Sequence, residues 1–315
     1  MAGYYRRRAA NGVGLIITEG TAIAHPAAVS DPAVPRFHGE DALDGWARVL
    51  QGVHDAGGKI MPQLWHVGMR RKPGDLPNPD AMPTGTSMTE AEIAGIVEAY
   101  AQGAATAKRM GFDGLEIHAA HGYLIDQFFW EKTNQRTDRY GGGIAERTRF
   151  ASEIVQACRK EVGPDFPILL RFSQWKGGDY NARLARTPEE LSIFLEPFTK
   201  AGVDMFHCST RRFWEPEFEG SNLNLAGWTK KLSGKPVITV GSVGLENDFI
   251  TTFTERKDSG VAGIDRLVRM LEADEVDLVA VGRALLADPV WAAKIREART
   301  EDLEPFRVEL LQVLT

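Results

Sequence analysis

Short runs of β-branched and apolar residues alternate with longer amphipathic segments along the chain. The short runs predict seven strands, at Val13–Thr18, Lys59–Leu64, Gly114–His118, Ile168–Phe172, Val203–Cys208, Pro236–Val240 and Asp277–Val281. None of them alternates cleanly between apolar and polar positions, so we expect both faces of each strand to be buried. Such strands are typical of a parallel sheet that is covered on both sides.

The segments between the strands carry the signals that begin and end helices. Thr89-Glu90-Ala91-Glu92 is a capping-box sequence, and Gly111 follows the helix that it begins. Thr187 and Pro188 are typical of an N-cap and a first helical residue. We predict helices at Tyr4–Ala10, Asp41–Ala56, Thr89–Met110, Ala145–Val162, from Thr187 onward, and at Leu225–Leu232, Ile264–Ala273 and Pro289–Ala298. A strand followed by a helix, repeated along the chain, indicates an α/β fold.

The number of strand–helix units is one fewer than a closed (β/α)8 barrel contains. The chain begins within a helical segment that Gly12 ends, so the first strand is expected to be missing from this sequence. We prefer a (β/α)8 TIM barrel, forming one domain over residues 1–315, because polar residues cluster after the strands. An open doubly wound sheet is the alternative. The Pro- and Gly-rich segment Lys72–Ser87 is either a complete loop or two ends with residues missing between them.

Composition and charge argue against several classes of protein for this chain. The 315 residues are 43% hydrophobic and 25% charged, with a net charge of −6, which is ordinary for a soluble globular protein. The acidic balance argues against a nucleic-acid surface, and no apolar run approaches the length that spans a membrane. The two cysteines, Cys158 and Cys208, give neither a disulfide framework nor an iron–sulfur spacing. With no secretory signal at the start, a cytoplasmic enzyme is expected.

The segment Gly114–Leu124 places two histidines and a tyrosine directly after a predicted strand. The neutral imidazoles of His118 and His121 could donate hydrogen bonds to a carbonyl oxygen, and the phenol of Tyr123 could deliver a proton nearby. The alternatives are a zinc site or a pair of packing histidines. Zinc needs a third ligand in a recognisable spacing, and none follows here, so we expect no metal.

Two glycine-containing loops late in the sequence predict a phosphate site. Gly241 and Ser242 follow one predicted strand, and Gly282 and Arg283 follow the last strand, where a helix begins. Backbone N–H groups at a helix N-terminus bind phosphate, and a guanidinium beside them adds charged hydrogen bonds. Barrels often bind phosphate at these two loops. The alternative is that the glycines only make tight turns.

Together these motifs resemble the Old Yellow Enzyme family of FMN-dependent ene-reductases, over the stretch from Tyr4 to about Ala298. The resemblance rests on His118-x-x-His121-Gly-Tyr123-Leu124, Asn134-Gln-Arg136-Thr-Asp138-Arg-Tyr140-Gly141-Gly142, Gly14-Leu-Ile-Ile-Thr-Glu-Gly20-Thr21, Gln63-Leu64-Trp65 and Val281-Gly282-Arg283-Ala-Leu-Leu. It implies a barrel that holds FMN and reduces the activated C=C bond of α,β-unsaturated carbonyl compounds. The reductant would be NADH or NADPH, in a ping-pong mechanism.

The resemblance also implies the residues that would hold the flavin. Gly20 would pass close to the ring, Gln63 would hydrogen-bond its pyrimidine edge, and Arg171 would lie near N1 and C2=O. The ribityl phosphate would be held by Gly241, Ser242, Gly282 and Arg283. In the family, the first strand supplies further flavin contacts, which cannot be named in this chain.

The same resemblance implies the substrate site. His118 and His121 would bind the activating oxygen, Tyr123 would protonate the substrate Cα, and Trp65 would form a wall of the pocket. The long loop Ser209–Gly220 departs from the family pattern, and its arginines and aromatic residues could form a lid or only decorate the surface.

Two other functions stay open at this point. One is a phosphate-binding barrel that acts as an isomerase or lyase without flavin. Such an enzyme would need a Lys or Glu whose side chain points inward from the end of a strand. The other is a non-catalytic flavoprotein fragment, because the first strand is missing. The expected partner is a small enone-type molecule, with no nucleic acid and no membrane, and a homodimer stays open.

Overall fold

The structure, a computed structural model, describes residues 1–29, 31–68, 87–177 and 179–313. At its centre is a parallel sheet in which seven strands neighbour one another in chain order. The strands are β1 Leu15–Ala22, β2 Lys59–Trp65, β3 Leu115–Ala119, β4 Ile168–Phe172, β5 Met205–Ser209, β6 Val237–Val240 and β7 Leu278–Val279. Residues 72–86, the Pro- and Gly-rich segment of the sequence analysis, lie outside the described ranges.

The helices follow the strands along the chain, except for one that precedes the first strand. They are α1 Ala2–Ala10, α2 Glu40–Asp55, α3 Glu90–Met110, α4 Leu124–Phe129, α5 Ile144–Arg147, α6 Arg149–Val162, α7 Pro188–Ala201, α8 Leu225–Ser233, α9 Phe249–Thr254, α10 Asp265–Glu272, α11 Arg283–Ala287 and α12 Trp291–Arg296, with 3-10 turns at Thr300–Asp302 and Val308–Gln312. Thr89 begins α3 with the predicted capping box, and the Thr187 side chain caps α7. None of the described helices is long and apolar enough to cross a membrane.

The inner face of the sheet is layered. Met61, Leu169 and Ile238 form a small buried apolar cluster, against which Met205 packs. Side chains on a strand return to the same face every second residue. Gln63, Arg171 and His207 therefore lie on this same face, one step nearer the carboxyl ends of β2, β4 and β5. A larger apolar cluster contains the residues that the helices bury.

The predicted barrel of parallel strands is confirmed as an α/β, TIM-barrel-like fold. In the described part of the chain the sheet does not close, because its order runs from β1 to β7 without pairing between those two strands. A cleft of about 860 Å³ lies there, lined by β1, β7 and residues of α1, α10, α11 and α12.

Two helix predictions are wrong in their boundaries. The predicted helix Ala145–Val162 is divided between α5 and α6 at Thr148, whose hydroxyl donates to the Ala145 carbonyl at 2.6 Å. Such a side chain competes with the backbone for its hydrogen bonds. The predicted helix Pro289–Ala298 is shorter, at Trp291–Arg296, and α11 precedes it. The short helices α4 and α9 were not predicted.

The first strand runs further than predicted, to Ala22 instead of Thr18. Its register against β2 shifts between Ile17 and Gly20. The hydroxyl of Thr18 accepts the Gln63 N–H at 3.0 Å, so a side chain replaces one backbone ladder bond at the irregularity. Glu19, Gly20 and Thr21 consequently belong to the strand rather than to the loop after it.

Candidate active site at the carboxyl ends of the strands

The turn between β3 and α4 brings the three predicted catalytic residues together. His121 and Gly122 both have left-handed backbone angles, with φ of 63° and 77°. The ring of His118 lies 5.1 Å from the ring of His121 and 5.1 Å from that of Tyr123, edge-on to both. The structure therefore groups two imidazoles and a phenol, as the sequence predicted, while their chemical roles stay a prediction.

Two indole rings extend this group. Trp65, at the end of β2, lies edge-on to Tyr123 with 5.1 Å between ring centroids. Trp175, after β4, stacks on His121 at 4.5 Å. We call these five residues the aromatic row: Trp65, Tyr123, His118, His121 and Trp175. Trp65 lies at one end of this row and Trp175 at the other. The predicted role of Trp65 as a wall of the substrate pocket stays a prediction.

Burial keeps both imidazoles neutral. Burial, with a smaller effect from the charge of Arg171, lowers the pKa of His118 to about 3. The same two causes hold the pKa of His121 well below its ordinary value. The Nδ1 atom of His118 accepts the Ala120 N–H at 3.4 Å, which leaves the proton on Nε2 as a hydrogen-bond donor. The Nε2 atom of His121 lies 2.8 Å from the Ser209 hydroxyl.

A buried polar layer lies one step below the aromatic row on the same strands. The carboxylate of Glu116 accepts hydrogen bonds from the Gln63 amide at 2.6 Å and from His207 Nδ1 at 2.7 Å. Burial alone would raise the pKa of Glu116, but His207 and Arg171 outweigh it and the pKa is lowered. Glu116 and His207 were missed in the sequence, because nothing local relates two residues that are 91 positions apart.

Two nitrogen atoms of this layer lack partners. Within the described ranges, Arg171 Nε and His207 Nε2 are buried and have no hydrogen-bond acceptor or donor. Unpaired buried polar groups are costly and rare, so a bound molecule, an ion or a water molecule is needed to satisfy these two atoms. Both residues line the cleft between β1 and β7.

The predicted cofactor residues lie in three places: the cleft between β1 and β7, the aromatic row, and the loop after β6. Gln63, Arg171, Gly282 and Arg283 line the cleft between β1 and β7. Gly20 lies instead against the row, since a Cβ at Gly20 would sit 3.2 Å from the Trp65 ring.

Gly241 and Ser242 form the loop after β6, next to the loop after β5. A Cβ at Gly241 would lie 2.7 Å from the Thr210 carbonyl oxygen, and its φ of 148° also favours glycine. The Ser242 hydroxyl donates to the Arg211 carbonyl at 2.9 Å. Close packing between the two loops thus explains why glycine occupies position 241, and the predicted phosphate-binding role of this loop stays a prediction.

Arg283 is held by the chain itself. Its guanidinium donates to the carbonyls of Asn247 at 2.8 Å and Asp248 at 3.2 Å, and to the Thr252 hydroxyl. Within the described ranges these bonds use three of the five guanidinium N–H groups. A Cβ at Gly282 would meet no atom of the described residues within 4 Å, so among them space is open beside the start of α11.

The long loop after β5 is anchored. Arg211 and Arg212 both donate to the Asp248 carboxylate, at 3.1 and 2.6 Å. Phe213 is buried in the core. These residues join the loop after β5 to the loop after β6. The loop after β5 is therefore fixed in place, unlike the lid that the sequence analysis considered. Within the described residues, no group of three or more His, Cys, Asp or Glu side chains could hold a metal ion.

Comparison with known proteins decides the family. A model of the NADH:flavin oxidoreductase / NADH oxidase family matches residues 1–302. The chain belongs to this family. The resemblance to Old Yellow Enzymes predicted from the motifs is therefore confirmed, and the flavin-free isomerase or lyase receives no support.

The relatives of this oxidoreductase are similar over most of its length. An NADH oxidase of Thermoanaerobacter brockii is 34% identical over 95% of this chain, although the chain spans only 46% of that protein. An NADPH dehydrogenase of Bacillus velezensis is 32% identical over 97% of this chain and 86% of its own length. A solved structure of morphinone reductase in complex with tetrahydroNAD is 27% identical, with a TM-score of 0.75 over 94% of this chain and 81% of its own.

The residues of the oxidoreductase fit the flavin that its family implies. The unpaired atoms Arg171 Nε and His207 Nε2 could bind the polar atoms of a flavin ring. The first N–H groups of α11 have no partner within the helix, and no described atom would lie within 4 Å of a Cβ at Gly282, where this helix begins.

The neutral state of His118 predicts a pH dependence of stability. Its pKa is about 3 in the folded protein, against about 6.5 in an unfolded chain. The unfolded chain thus binds more protons between these values, and the free energy of unfolding should fall as the pH drops below about 6.5. The loss for this residue is about 1.4 kcal/mol per pH unit. Urea unfolding of the parent and of His118→Gln, which cannot titrate, should show a shallower slope in the variant; parallel slopes would contradict the neutral imidazole.

Proposed function

We propose that this oxidoreductase binds one FMN and reduces the activated C=C bond of a small α,β-unsaturated carbonyl compound, using NADH or NADPH in a ping-pong cycle. The aromatic row is the observation that supports the proposal most, because it places hydrogen-bond donors and a weak acid side by side between two flat indole walls. When bound, FMN supplies the hydride chemistry. A cytoplasmic location is part of the proposal.

The two histidines would bind the activating oxygen. Neutral imidazoles donate hydrogen bonds without the strong desolvation that a charged group would need. Negative charge develops on a carbonyl oxygen when its alkene accepts a hydride, and donors aimed at that oxygen stabilise this charge. Arg171, whose charge acts on both imidazoles, adds a positive potential from below.

Tyr123 would supply the proton to the substrate Cα. Its ring is held between Trp65 and His118, edge-on to both, so its hydroxyl has a defined direction beside the oxygen-binding histidines. A positioned phenol can act as a general acid towards a carbanion that forms next to it. Hydride addition and protonation would then occur on neighbouring atoms of one bound substrate.

The cofactor would be held by residues from both ends of the chain. Gln63 and Arg171 would contact the polar edge of the ring, with Gly20 beside it. The phosphate would be held by Gly241, Ser242, Gly282 and Arg283. The solved morphinone reductase binds tetrahydroNAD, and this supports a nicotinamide as the reductant of the present chain.

A two-step titration tests the function. Purified protein is first examined for a bound yellow flavin, is then reduced anaerobically with NADH or NADPH, and is finally mixed with cyclohexenone or, as a control, saturated cyclohexanone. Reoxidation by the enone alone supports the proposal. Protein without flavin would contradict the cofactor, and reduced flavin that the enone leaves untouched would indicate the non-catalytic flavoprotein.

Replacing Arg283 with alanine should weaken FMN binding. The change removes one or two charged hydrogen bonds to phosphate, on the order of 2–4 kcal/mol, or roughly 30- to 1000-fold in Kd. It also frees the loop that Arg283 anchors at Asn247 and Asp248. Arg283→Lys keeps the charge and should lie between the two. Flavin fluorescence quenching measures the Kd, and an alanine variant that binds as tightly as the parent would refute the phosphate site.

Replacing either His118 or His121 with alanine should weaken the binding of phenolate ligands, whose anionic oxygen mimics the developing enolate. One hydrogen bond to a charged group corresponds to roughly a ten- to hundredfold loss. A long-wavelength charge-transfer band of the ligand stacked on oxidised flavin reports binding. His54→Ala is the matched control, because His54 pairs with Asp113 just before β3, at its opposite end. Full phenol affinity in the double variant would rule out this oxygen site.

Replacing Tyr123 with phenylalanine should separate the two half-reactions. Reduction of the flavin by nicotinamide should be almost unchanged, while reoxidation by cyclohexenone should slow by roughly 10²–10⁴. Nitroalkenes should be less affected, because water can protonate their stabilised product later. Tyr100→Phe, which removes a hydroxyl buried in α3, is the control. Stopped-flow traces decide: equal slowing of both halves indicates a damaged site, and unchanged enone reduction means that another group gives the proton.

A further inference from the structure

The backbone of His121 depends on its neighbours. A left-handed φ of 63° is uncommon for a residue other than glycine and persists only where the surroundings fix it. The Ser173 hydroxyl accepts the His121 N–H at 3.0 Å, and the His121 carbonyl accepts the Gly177 N–H at 3.1 Å. The segment after β4 therefore holds both polar groups of this peptide.

Gly122, the second left-handed residue of the turn, is fixed from α4. Its N–H donates to the Asp126 carboxylate at 2.7 Å, and its carbonyl accepts from the Gln127 amide at 2.7 Å. A carboxylate that accepts a backbone N–H at a turn makes a strong, directional hydrogen bond. Asp126 thus sets the direction in which the chain leaves His121.

Asp126 is itself fixed by a buried lysine. Its second carboxylate oxygen accepts from Lys176, and these side chains are 0% and 1% exposed. The ammonium of Lys176 also donates to the Ser173 carbonyl at 3.2 Å. Lys176 therefore joins the residue that holds Gly122 to the residue that holds His121.

A buried ion pair is a poor means of gaining stability. Desolvation of the two charges often outweighs their attraction, and replacing such a pair with apolar residues of similar size is often neutral or stabilising. The geometry of this pair, in contrast, is specific, because each member contacts an anchor of the His121–Gly122 turn. The pair is better placed to fix a conformation than to stabilise the fold.

We infer that Asp126 and Lys176 are positioning residues, which hold the His121–Gly122 turn so that His118, His121 and Tyr123 face one bound substrate. This inference rests on the proposed function. The pair acts at a distance from the reacting atoms: Asp126 fixes the turn, and Lys176 lies one residue after Trp175, the ring on which His121 stacks. Both the backbone and the ring of His121 consequently depend on this contact between α4 and the segment after β4.

Two double variants that differ in one group test the inference. Asp126→Leu with Lys176→Met removes both charges and the acceptor of the Gly122 N–H, and the new side chains have volumes similar to those that they replace. Asp126→Asn with Lys176→Met removes the charges but keeps a side-chain oxygen for that N–H. Phenol Kd, the charge-transfer band, kcat and KM for cyclohexenone, bound FMN and the melting temperature are measured for both variants and the parent.

The leucine variant should bind phenol about 10- to 100-fold more weakly, the effect expected when a binding group is misplaced by about 1 Å. It should keep its FMN and a melting temperature close to that of the parent. The asparagine variant should recover most of the phenol affinity and of the charge-transfer band. A merely structural role predicts instead that affinity falls only together with FMN content and melting temperature.

The inference is overturned if the leucine variant binds phenol as tightly as the parent. It is also overturned if the asparagine variant loses as much phenol affinity as the leucine variant. If leucine prevents folding, Asp126→Ala in the Lys176→Met background removes the acceptor without added bulk and carries the same expectation. Failure of the proposed function is visible separately. In that case the parent itself binds no phenol and its reduced flavin is not reoxidised by the enone, before any variant is compared.

Discussion

Parallel pairing of the strands in chain order is the constraint on which the site depends. Because every strand runs in one direction, the carboxyl ends of β2, β3, β4 and β5 meet at one edge, and the loops that follow them converge. Because side chains alternate, the residues of one face form layers along the sheet. An apolar layer, a polar layer and the aromatic row follow one another towards that edge. Moving one strand by a single residue would exchange its inner and outer side chains and destroy all three layers.

The polar layer links the fold to the chemistry. Glu116, His207 and Arg171 place a buried negative charge, an imidazole and a buried positive charge close together, and Gln63 completes the hydrogen bonds of the carboxylate. A charge without such a partner would be costly in the interior. The guanidinium, in turn, lowers the pKa of the two histidines above it. The donors of the aromatic row are therefore neutral chiefly because they are buried, and the charge of Arg171 adds a smaller effect.

Much of this arrangement was predicted from the sequence, and the reason is local. His118, His121 and Tyr123 lie within six consecutive residues after an apolar run, so any parallel strand there would bring them to one edge. The capping box at Thr89 is likewise a local signal, and the structure contains it. Predictions were weaker where a side chain competes with the backbone, as at Thr148 in the divided helix and at Thr18 in β1.

The sequence by itself determined the order of strands and helices, the family, and the identity of the three residues in the turn after β3. These depend on hydrophobic periodicity and on short motifs, which neighbouring residues specify. Only the tertiary structure decided that Glu116 meets His207, that Ser209 meets His121, and that Lys176 meets Asp126, across 91, 88 and 50 positions. Contacts at such separations depend on the register between strands and on how loops pack over the edge of the sheet. No periodicity in the chain encodes that geometry, because it arises only when all the strands are paired.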